Sequence, residues 1–547
     1  MPTEVKAPLR LLSEPRKVID DSWERYANAH DVWKTVDATY AELRALPESE
    51  QIPYLTLANV KQLLAFSQTE QGRANGVLVR WQCMIQDTGL GWELYIKSLV
   101  HDGKDICTMY GNEIDHTDHE FESAAMDGDR MAERAVFYGV SLPGMTPWAR
   151  DRAVGAPHTL AEALEALQLE LADMKRAPLP EDASVTALVK MYNLEEAEPL
   201  KTTDVIDLVG LLTVDGVPSA EWHLNDTEDI QWVPSIHVLH WKRTPLESLA
   251  LPLEADSAPQ VPTPSPFVDH DTMRAALVDY LATALGHDVL AAEYLLLALL
   301  ARIHARRSGV TVGSFSLNLS RVTGHELEPA LASLMPAVVR QPLSLASLND
   351  PAHTLFVRHT GQHAQAGRLQ LPSGTCVVVD ERAMEEGKLE DHGMRNIRAL
   401  SSVLQKRSLP YVLPYSEMDL STDLILVVLS EGKSFLPVDV HVPVHSTQSR
   451  APPSVSAETL EAWRAFLART RHEALTIPEN VSQHIQDDFV QRRRASSTFD
   501  QDDLQRCLVI ARLLALSHGH TELTPALWTR AVALDAARAA RLAPTPP

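Results

Sequence analysis

Cysteine is scarce in this chain of 547 residues, and the four present, Cys83, Cys107, Cys376 and Cys507, stand far apart without a CxxC pair. Such spacing offers neither a zinc knuckle nor a disulfide framework, so a reducing compartment is expected. Long apolar runs are missing too. The most apolar stretch, Val289 to Ile303, is interrupted by Glu293 and Arg302 and falls short of the ~20 residues a membrane span requires. The segment Met1 to Ser13 mixes charge with proline and has no apolar core of signal-peptide length. A soluble, non-secreted protein with no membrane partner is expected. Positive charge is in deficit: 49 Lys and Arg against 73 Asp and Glu leave a formal net charge of -24. The averaged field repels phosphate backbones, which argues against direct DNA binding. The clearest basic run, Arg492-Arg493-Arg494, is short, and a solvated helix end explains it as well.

Catalytic signatures are equally sparse. There is no GxSxG elbow and no HExxH. The 22 histidines form no evident ligand cluster. His237 and His240 lie at strand spacing on opposite faces, and His518 and His520 sit in a Ser-His-Gly-His stretch that suits a helix-capping loop better than a metal. No metal, cofactor or small-molecule substrate is expected.

The length calls for roughly two to four domains, and an apolar fraction of 45% fits folded ones. From Asp20 to Phe66 apolar residues recur at helical spacing (Trp23, Tyr26, Val32, Trp33, Val36, Tyr40, Leu43), which predicts helices within an N-terminal region over 1–70. Between Val77 and Trp241 short β-type runs predominate, predicting a small barrel over 71–248 with a helical insertion over 151–181. Five prolines between Leu249 and Pro266 mark a linker, 249–268.

Strand-like runs then alternate with helices over 269–450: Val310 to Leu319, Thr354 to Arg358, Gly374 to Val379, Leu424 to Leu429 and Val438 to Val444. This argues for a mainly parallel sheet with helices on both faces. Helical segments at Ala457 to Arg471, Ile477 to Arg494, Asp502 to Leu516 and Pro525 to Leu542 suggest an all-α lid over 451–547. The expected class is a multidomain α/β protein.

One constellation invites a chemical reading. Cys376-Val377-Val378-Val379 ends in Asp380-Glu381, an arrangement that in P-loop NTPases puts a carboxylate near Mg²⁺ and another near the attacking water. Acidic residues are also common at strand ends. A nucleotide site further needs backbone N–H groups and a lysine around the phosphates, as in GxxxxGK[ST] between strand and helix. Gly432-Lys433-Ser434 imitates its end, but Val427 stands where the first glycine belongs and a strand pattern follows. Where a phosphate loop should follow the first strand, Leu317 to Glu326 holds one glycine, no lysine, and a glutamate that opposes phosphate. Asp380 and Glu381 thereby read as a degenerate Walker B-like pair, with no nucleotide-binding residue expected. An active or regulatory nucleotide-binding protein is the rival reading.

Several blocks resemble the MCM-binding protein family: Cys83-Met-Ile-Gln-Asp87, Leu208-Val-Gly-Leu-Leu-Thr-Val-Asp215, Val233-Pro-Ser-Ile-His-Val238, Leu290-Ala-Ala-Glu-Tyr-Leu-Leu-Leu297, Leu317-Asn-Leu-Ser320, Leu369-Gln-Leu-Pro-Ser-Gly374, Val379-Asp-Glu381, Ser430-Glu-Gly-Lys-Ser-Phe-Leu-Pro437 and Asp487-Asp-Phe-Val490. The N-terminal helices and the segment between Arg150 and Ser184 depart from the family pattern. The resemblance implies a nuclear, non-enzymatic partner of MCM helicase subunits, acting in their assembly, stability or unloading during DNA replication, with a link to sister-chromatid cohesion. A weaker resemblance is to a degenerate MCM subunit. It implies an oligonucleotide-binding-fold (OB) barrel in the first half and, in the second, an AAA+-like domain without a Walker A loop. Ser430 then stands where a sensor asparagine would, and Ser434-Phe435-Leu436 near the arginine-finger position without its arginine. The partner-binding surface stays unassigned.

Overall fold

The computed structural model describes residues 7–44, 51–101, 104–111, 130–154, 177–179, 182, 184–218, 230–251, 270–307, 310–360, 363–445, 453–495 and 499–542. Most of the expected insertion over 151–181 and of the proline-rich segment over 249–268 lies outside them.

Three helices open the chain, Ala7–Ser13, Pro15–Tyr26 and Ala29–Arg44. Proline at the first position of the second suits a turn whose N–H has no partner anyway, and Ala27 at φ 47° ends that helix in the left-handed region. Their apolar stripes, including Leu11, Ile19, Trp23, Val32, Val36 and Tyr40, are buried against Leu78, Val209, Leu211 and Leu239. Those four belong to strands of the following sheet, so the helices clad its outer wall.

That wall is a closed ring. Leu78–Asp87 pairs with Met131–Ser141, which pairs with Thr186–Met191, then Ile230–Arg243, then Val205–Pro218, which returns to Leu78–Asp87. Every contact is antiparallel except that between Thr186–Met191 and Ile230–Arg243. Alternate residues point inward, as strand geometry requires: Val79, Trp81, Cys83 and Ile85 from the first strand meet Phe137, Val189, Leu208 and Ile236. Gly139 makes room for the fully buried Trp81, since a Cβ there would sit 3.0 Å from the indole.

The second half is built on five parallel strands in the order Val338–Pro342, Cys376–Asp380, Ile425–Ser430, Ser316–Ser320, Val440–Pro443. Cys376–Asp380 and Ile425–Ser430 are buried along their whole length, and their runs of valine, isoleucine and leucine suit a sheet covered on both faces. Helices His270–Ala284, Val289–Leu300, Ala457–His472, Gln501–Ser517 and Pro525–Leu542 share one core on one face. The C-terminal helices therefore form no separate layer. Arg541, in the last of them, grips the carboxylate of Asp288, whose other task is to cap Val289–Leu300 through the Ala291 N–H. No single described helix is long and apolar enough to cross a membrane, and the bent pair His270–Ala284 and Val289–Leu300 is core.

Two expectations need correcting here. The run Val310 to Leu319 is not one strand: Val310–Val312 pairs with Ala305–Arg307, and only Ser316–Ser320 joins the parallel sheet. Gly313, at φ 93° and pressed against Arg302 O, makes the break. The run Thr354 to Arg358 yields Val357–Thr360, which belongs to a second, four-stranded sheet with His363–Gln365, Ser408–Val412 and Glu417–Ser421. That sheet and helix Asp391–Gln405 cover the other face of the parallel one, so helices alone do not.

The two halves are pinned together. Met145 forms an isolated bridge with Ala337, Thr146 N–H donates to Pro336 O at 3.0 Å, and the Trp148 indole donates to Ala332 O at 3.0 Å. A 3-10 turn, Leu246–Ala250, carries Glu247 to Arg471, 2.9 Å away, both nearly buried.

Candidate functional site

In open parallel sheets, ligands bind in the crevice beyond the carboxyl ends of the strands. Here those ends bring together Ser320, Asp380 with Glu381, Ser430 and Pro443. The two sequence-predicted carboxylates thus arrive at the position where chemistry would be done. What surrounds them decides what they can do.

Asp380 is gripped by two arginines. Arg382 lays its guanidinium fork across the carboxylate, Nε to Oδ1 and Nη2 to Oδ2, both at 2.8 Å, and its backbone N–H adds a bond at 3.2 Å. Arg340, from the neighbouring strand, donates to Oδ2 at 3.0 Å. Burial by itself would raise the Asp380 carboxyl, but the bonds from Arg382 and Arg340 outweigh it and hold the pKa at about 2. Both lone-pair edges of the anion are used. The same Arg382 reaches into the loop after the first strand, donating through Nη1 to Gly324 O at 2.9 Å and Val322 O at 3.3 Å. A cation from the chain itself therefore links the acidic strand end to the loop beside it.

Glu381 is also engaged. The Ser434 hydroxyl donates to its Oε1 at 2.5 Å. Burial pushes the Glu381 carboxyl above its ordinary value, and the Ser434 bond with the Phe435 and Leu436 N–H groups offsets only part of that. Ser434 is thus placed by the carboxylate, while its neighbour Lys433 is exposed in a bend and no helix follows. The imitation of a phosphate loop at Gly432-Lys433-Ser434 has neither the helix nor the strand order that a phosphate cradle uses.

The loop after Ser320 leads into helix Leu327–Leu334 with Glu326 at its cap and Glu328 in its first turn. Backbone N–H groups at a helix start favour anions, and these two side chains supply that charge already. Along the strands, the Asn318 amide donates to Ser430 Oγ at 2.8 Å, and His441 Nε2 meets Ser320 Oγ at 2.8 Å. The polar ends of the sheet are thus bonded mainly to one another.

The ring of the first half has its own polar face, on the outward side of Met131–Ser141, Thr186–Met191 and Ile230–Arg243. Arg134 and Lys190 stand there, both buried and both paired to Glu93; Lys190 also reaches Asp215 at 2.5 Å. Tyr192 hydroxyl bonds His237 Nδ1 at 2.8 Å and accepts from Arg134 at 2.8 Å. Burial, with Arg134 and Lys190 nearby, holds the His237 pKa well below normal, so its imidazole is neutral. His240 has a different partner, Asp37 of the N-terminal helices, at 2.6 Å.

The other sequence candidates are placed apart. Arg492 to Arg494 close helix Glu479–Ala495, where Arg492 pairs with Asp488 one turn back. His518 and His520 form the helix-ending turn, with Gly519 at φ 73° and His520 N–H returning to Ala515 O. No metal-holding group of three or more ligands occurs among the described residues, and all four cysteines are buried thiols. The site residues that sequence reasoning missed are Arg382, Arg340 and Asn318. Arg382 directly follows Asp380-Glu381 in the sequence, but nothing in that short window says that its side chain turns back onto Asp380. Arg340 was missed because its strand was not read.

Comparison with known proteins adds an independent line. A family described as mini-chromosome maintenance replisome factor matches residues 42–171 and 158–542. A mini-chromosome maintenance complex-binding protein of Arabidopsis thaliana is 27% identical over 528 residues, covering 85% of this chain and 88% of its own length. The protein of that name from Homo sapiens is 30% identical over 447 residues, covering 74% and 68%. For the Bos taurus protein the values are 31% over 410 residues, 67% and 63%.

Proposed function

The chain belongs to the mini-chromosome maintenance (MCM) replisome factor family, and on that premise we propose that it is a non-enzymatic binding protein for MCM helicase subunits. The relatives' printed name, MCM complex-binding protein, supplies the partner. The processes proposed are assembly, stability or unloading of the helicase in DNA replication, in the nucleus, with a link to sister-chromatid cohesion.

One observation carries the non-enzymatic part. Arg382 spends its fork on Asp380 and its remaining donor on the loop carbonyls of Val322 and Gly324. Mg²⁺ and a triphosphate need that carboxylate and the N–H groups of such a loop. The residues present do not fit the group: a guanidinium holds the carboxylate, the loop has no lysine, and Glu326 and Glu328 repel phosphate at the helix start. We therefore read the parallel sheet as an AAA+-like frame retained for docking.

We read the ring as an OB-type barrel. Its order in chain sequence, first-second-third-fifth-fourth, and its one parallel contact support that reading. Such barrels bind single strands with cationic and aromatic side chains. Here Arg134, Lys190 and His237 are buried, Tyr192 is partly buried, and all four are bonded within the protein. With a net charge of -24, the chain is better suited to a basic protein surface than to DNA.

The test has two arms. The chain is mixed with purified MCM subunits at micromolar concentration, and co-elution is expected; a clean failure to associate removes the proposed partner. Thermal unfolding is then followed with Mg-ATP, which at about a hundred times its Kd would add roughly 2.7 kcal/mol to a protein that binds it. No shift is expected, and a reproducible upward shift would favour the rival nucleotide-binding reading.

A further inference from the structure

A β-hairpin projects from the second half. Ser408–Val412 and Glu417–Ser421 pair antiparallel, Val412 opposite Glu417, and Leu413 N–H closes the end on Ser416 O at 2.9 Å. Pro414 and Tyr415 form the tip. Every residue from Pro414 to Asp419 is exposed, Tyr415 completely and Met418 by more than half. Glu417–Ser421 is the outer strand of its sheet, pairing with no further strand among the described residues.

An exposed tyrosine at such a place is poorly explained by folding. It buries nothing here, and its removal costs the core nothing. The backbone of the tip is nevertheless prearranged: proline fixes its own φ, and the Leu413–Ser416 bond closes the turn, so less backbone freedom is lost on contact. Aromatic residues displayed in this way are the type that carries a large share of binding energy at protein interfaces. The flanking charges are acidic, Glu417 and Asp419. Among the described residues the cation paired to them is Arg398, itself mostly exposed, at 3.2 Å from Glu417. The chain's overall charge of -24 has the same sign.

We propose that the hairpin tip is a contact element for the MCM subunit, Tyr415 and Met418 entering an apolar recess whose rim is basic. This rests on the reading of the chain as an MCM-binding protein. A basic rim is the complement of Glu417 and Asp419, and such pairing governs the approach and register of partners. Tyr415 offers roughly 200 Å² of contact, against about 800 Å² per partner in a stable interface. The tip is thus one part of a larger contact.

The experiment compares the full chain with Tyr415→Ala/Met418→Ala and with Glu417→Lys/Asp419→Lys, measuring Kd for purified MCM subunits by biolayer interferometry at several salt concentrations. The first variant should bind about thirtyfold more weakly with little change in melting temperature, because Tyr415 is fully exposed and Met418 more than half exposed. The second should associate more slowly and lose part of the salt dependence. If the wild-type chain binds and the first variant binds within twofold of it, the hairpin proposal is overturned while the partnership stands. If the wild-type chain does not bind, the partnership falls and the hairpin proposal with it. Loss of wild-type self-association in the variant, seen by sedimentation, would assign the tip to a second copy and overturn the proposal. Loss of single-stranded DNA binding would assign it to nucleic acid and also overturn it.

Discussion

Breaking the link between Arg382 and Asp380 tests the central reading of the crevice. Arg382→Met keeps the aliphatic stem and removes the fork; Asp380→Asn keeps the shape and removes the charge. Hydrogen bonds to charged groups contribute about 1.5–3 kcal/mol when well buried. The Asp380 carboxylate is 6% exposed and the Arg382 side chain 19% exposed, so the pair lies toward the buried end of that range. Arg340 stays at 3.0 Å to keep the anion partly matched, which lowers the loss. Arg382→Met is therefore expected to cost about 2 kcal/mol, and the cycle with Asp380→Asn to show a coupling of about 1.5 kcal/mol. In a cooperative unit of 150–250 residues, 2 kcal/mol lowers the melting temperature by roughly 4–8 °C. Urea titration of the four proteins, with hydrogen exchange of Cys376–Asp380 to localise the transition, measures the coupling. A value below about 0.5 kcal/mol would refute the claim that Arg382 occupies Asp380. Arg382→Met should also fail to gain stability with Mg-ATP, because the loop still lacks a lysine and Glu326 still faces it.

Glu247 gives a pH prediction. Burial would raise its carboxyl, but His472 and Arg471 bring it down to about 2. A folded pKa below the ordinary 4.5 means the stabilisation is present above about pH 4.5 and is lost as pH falls toward 2. That lowering is worth roughly 3 kcal/mol, so the stability gap between wild type and Glu247→Gln should shrink by that order between pH 6 and pH 2.5 in urea titrations. Gly374→Ala should destabilise by about 2 kcal/mol or more, since Gly374 lies at φ 87° and an added Cβ would stand 2.4 Å from Glu247 Oε1; equal urea midpoints would contradict this. Association with MCM subunits should weaken as ionic strength rises from 50 to 300 mM, over which the Debye length shortens by a factor of about 2.4; an unchanged Kd would remove the electrostatic part of the argument.

Much of the architecture was legible. The C-terminal helix Pro525–Leu542 begins and ends where its apolar spacing does, and Ala457–His472 starts at Ser456, whose hydroxyl accepts from Thr459 N–H. Strand Val338–Pro342 was not legible, because two of its residues face solvent and prolines stand at 336 and 342. Its strand character comes from pairing with Cys376–Asp380, a partner outside any local window. The hairpin Ser408–Ser421 was missed for a similar reason: Pro410 and Pro414 punctuate it, and its outer strand has no apolar alternation.

Composition and order alone determined the acidity, the buried β-branched strands, the helical C-terminus, the lack of a lysine in the loop after Ser320, and the blocks that carry the family resemblance. These are properties of short windows, where periodicity and residue type act directly. Tertiary structure decided how the parts engage one another. It alone set the strand order that lays Asp380 beside Arg340, the turn of chain that aims Arg382 at both Asp380 and the Gly324 carbonyl, and the closure that buries Arg134 and Lys190 with Glu93. The physical reason is that such contacts depend on distances of a few ångströms and on side-chain direction, in most of these cases between residues tens of positions apart, and only the folded chain specifies those.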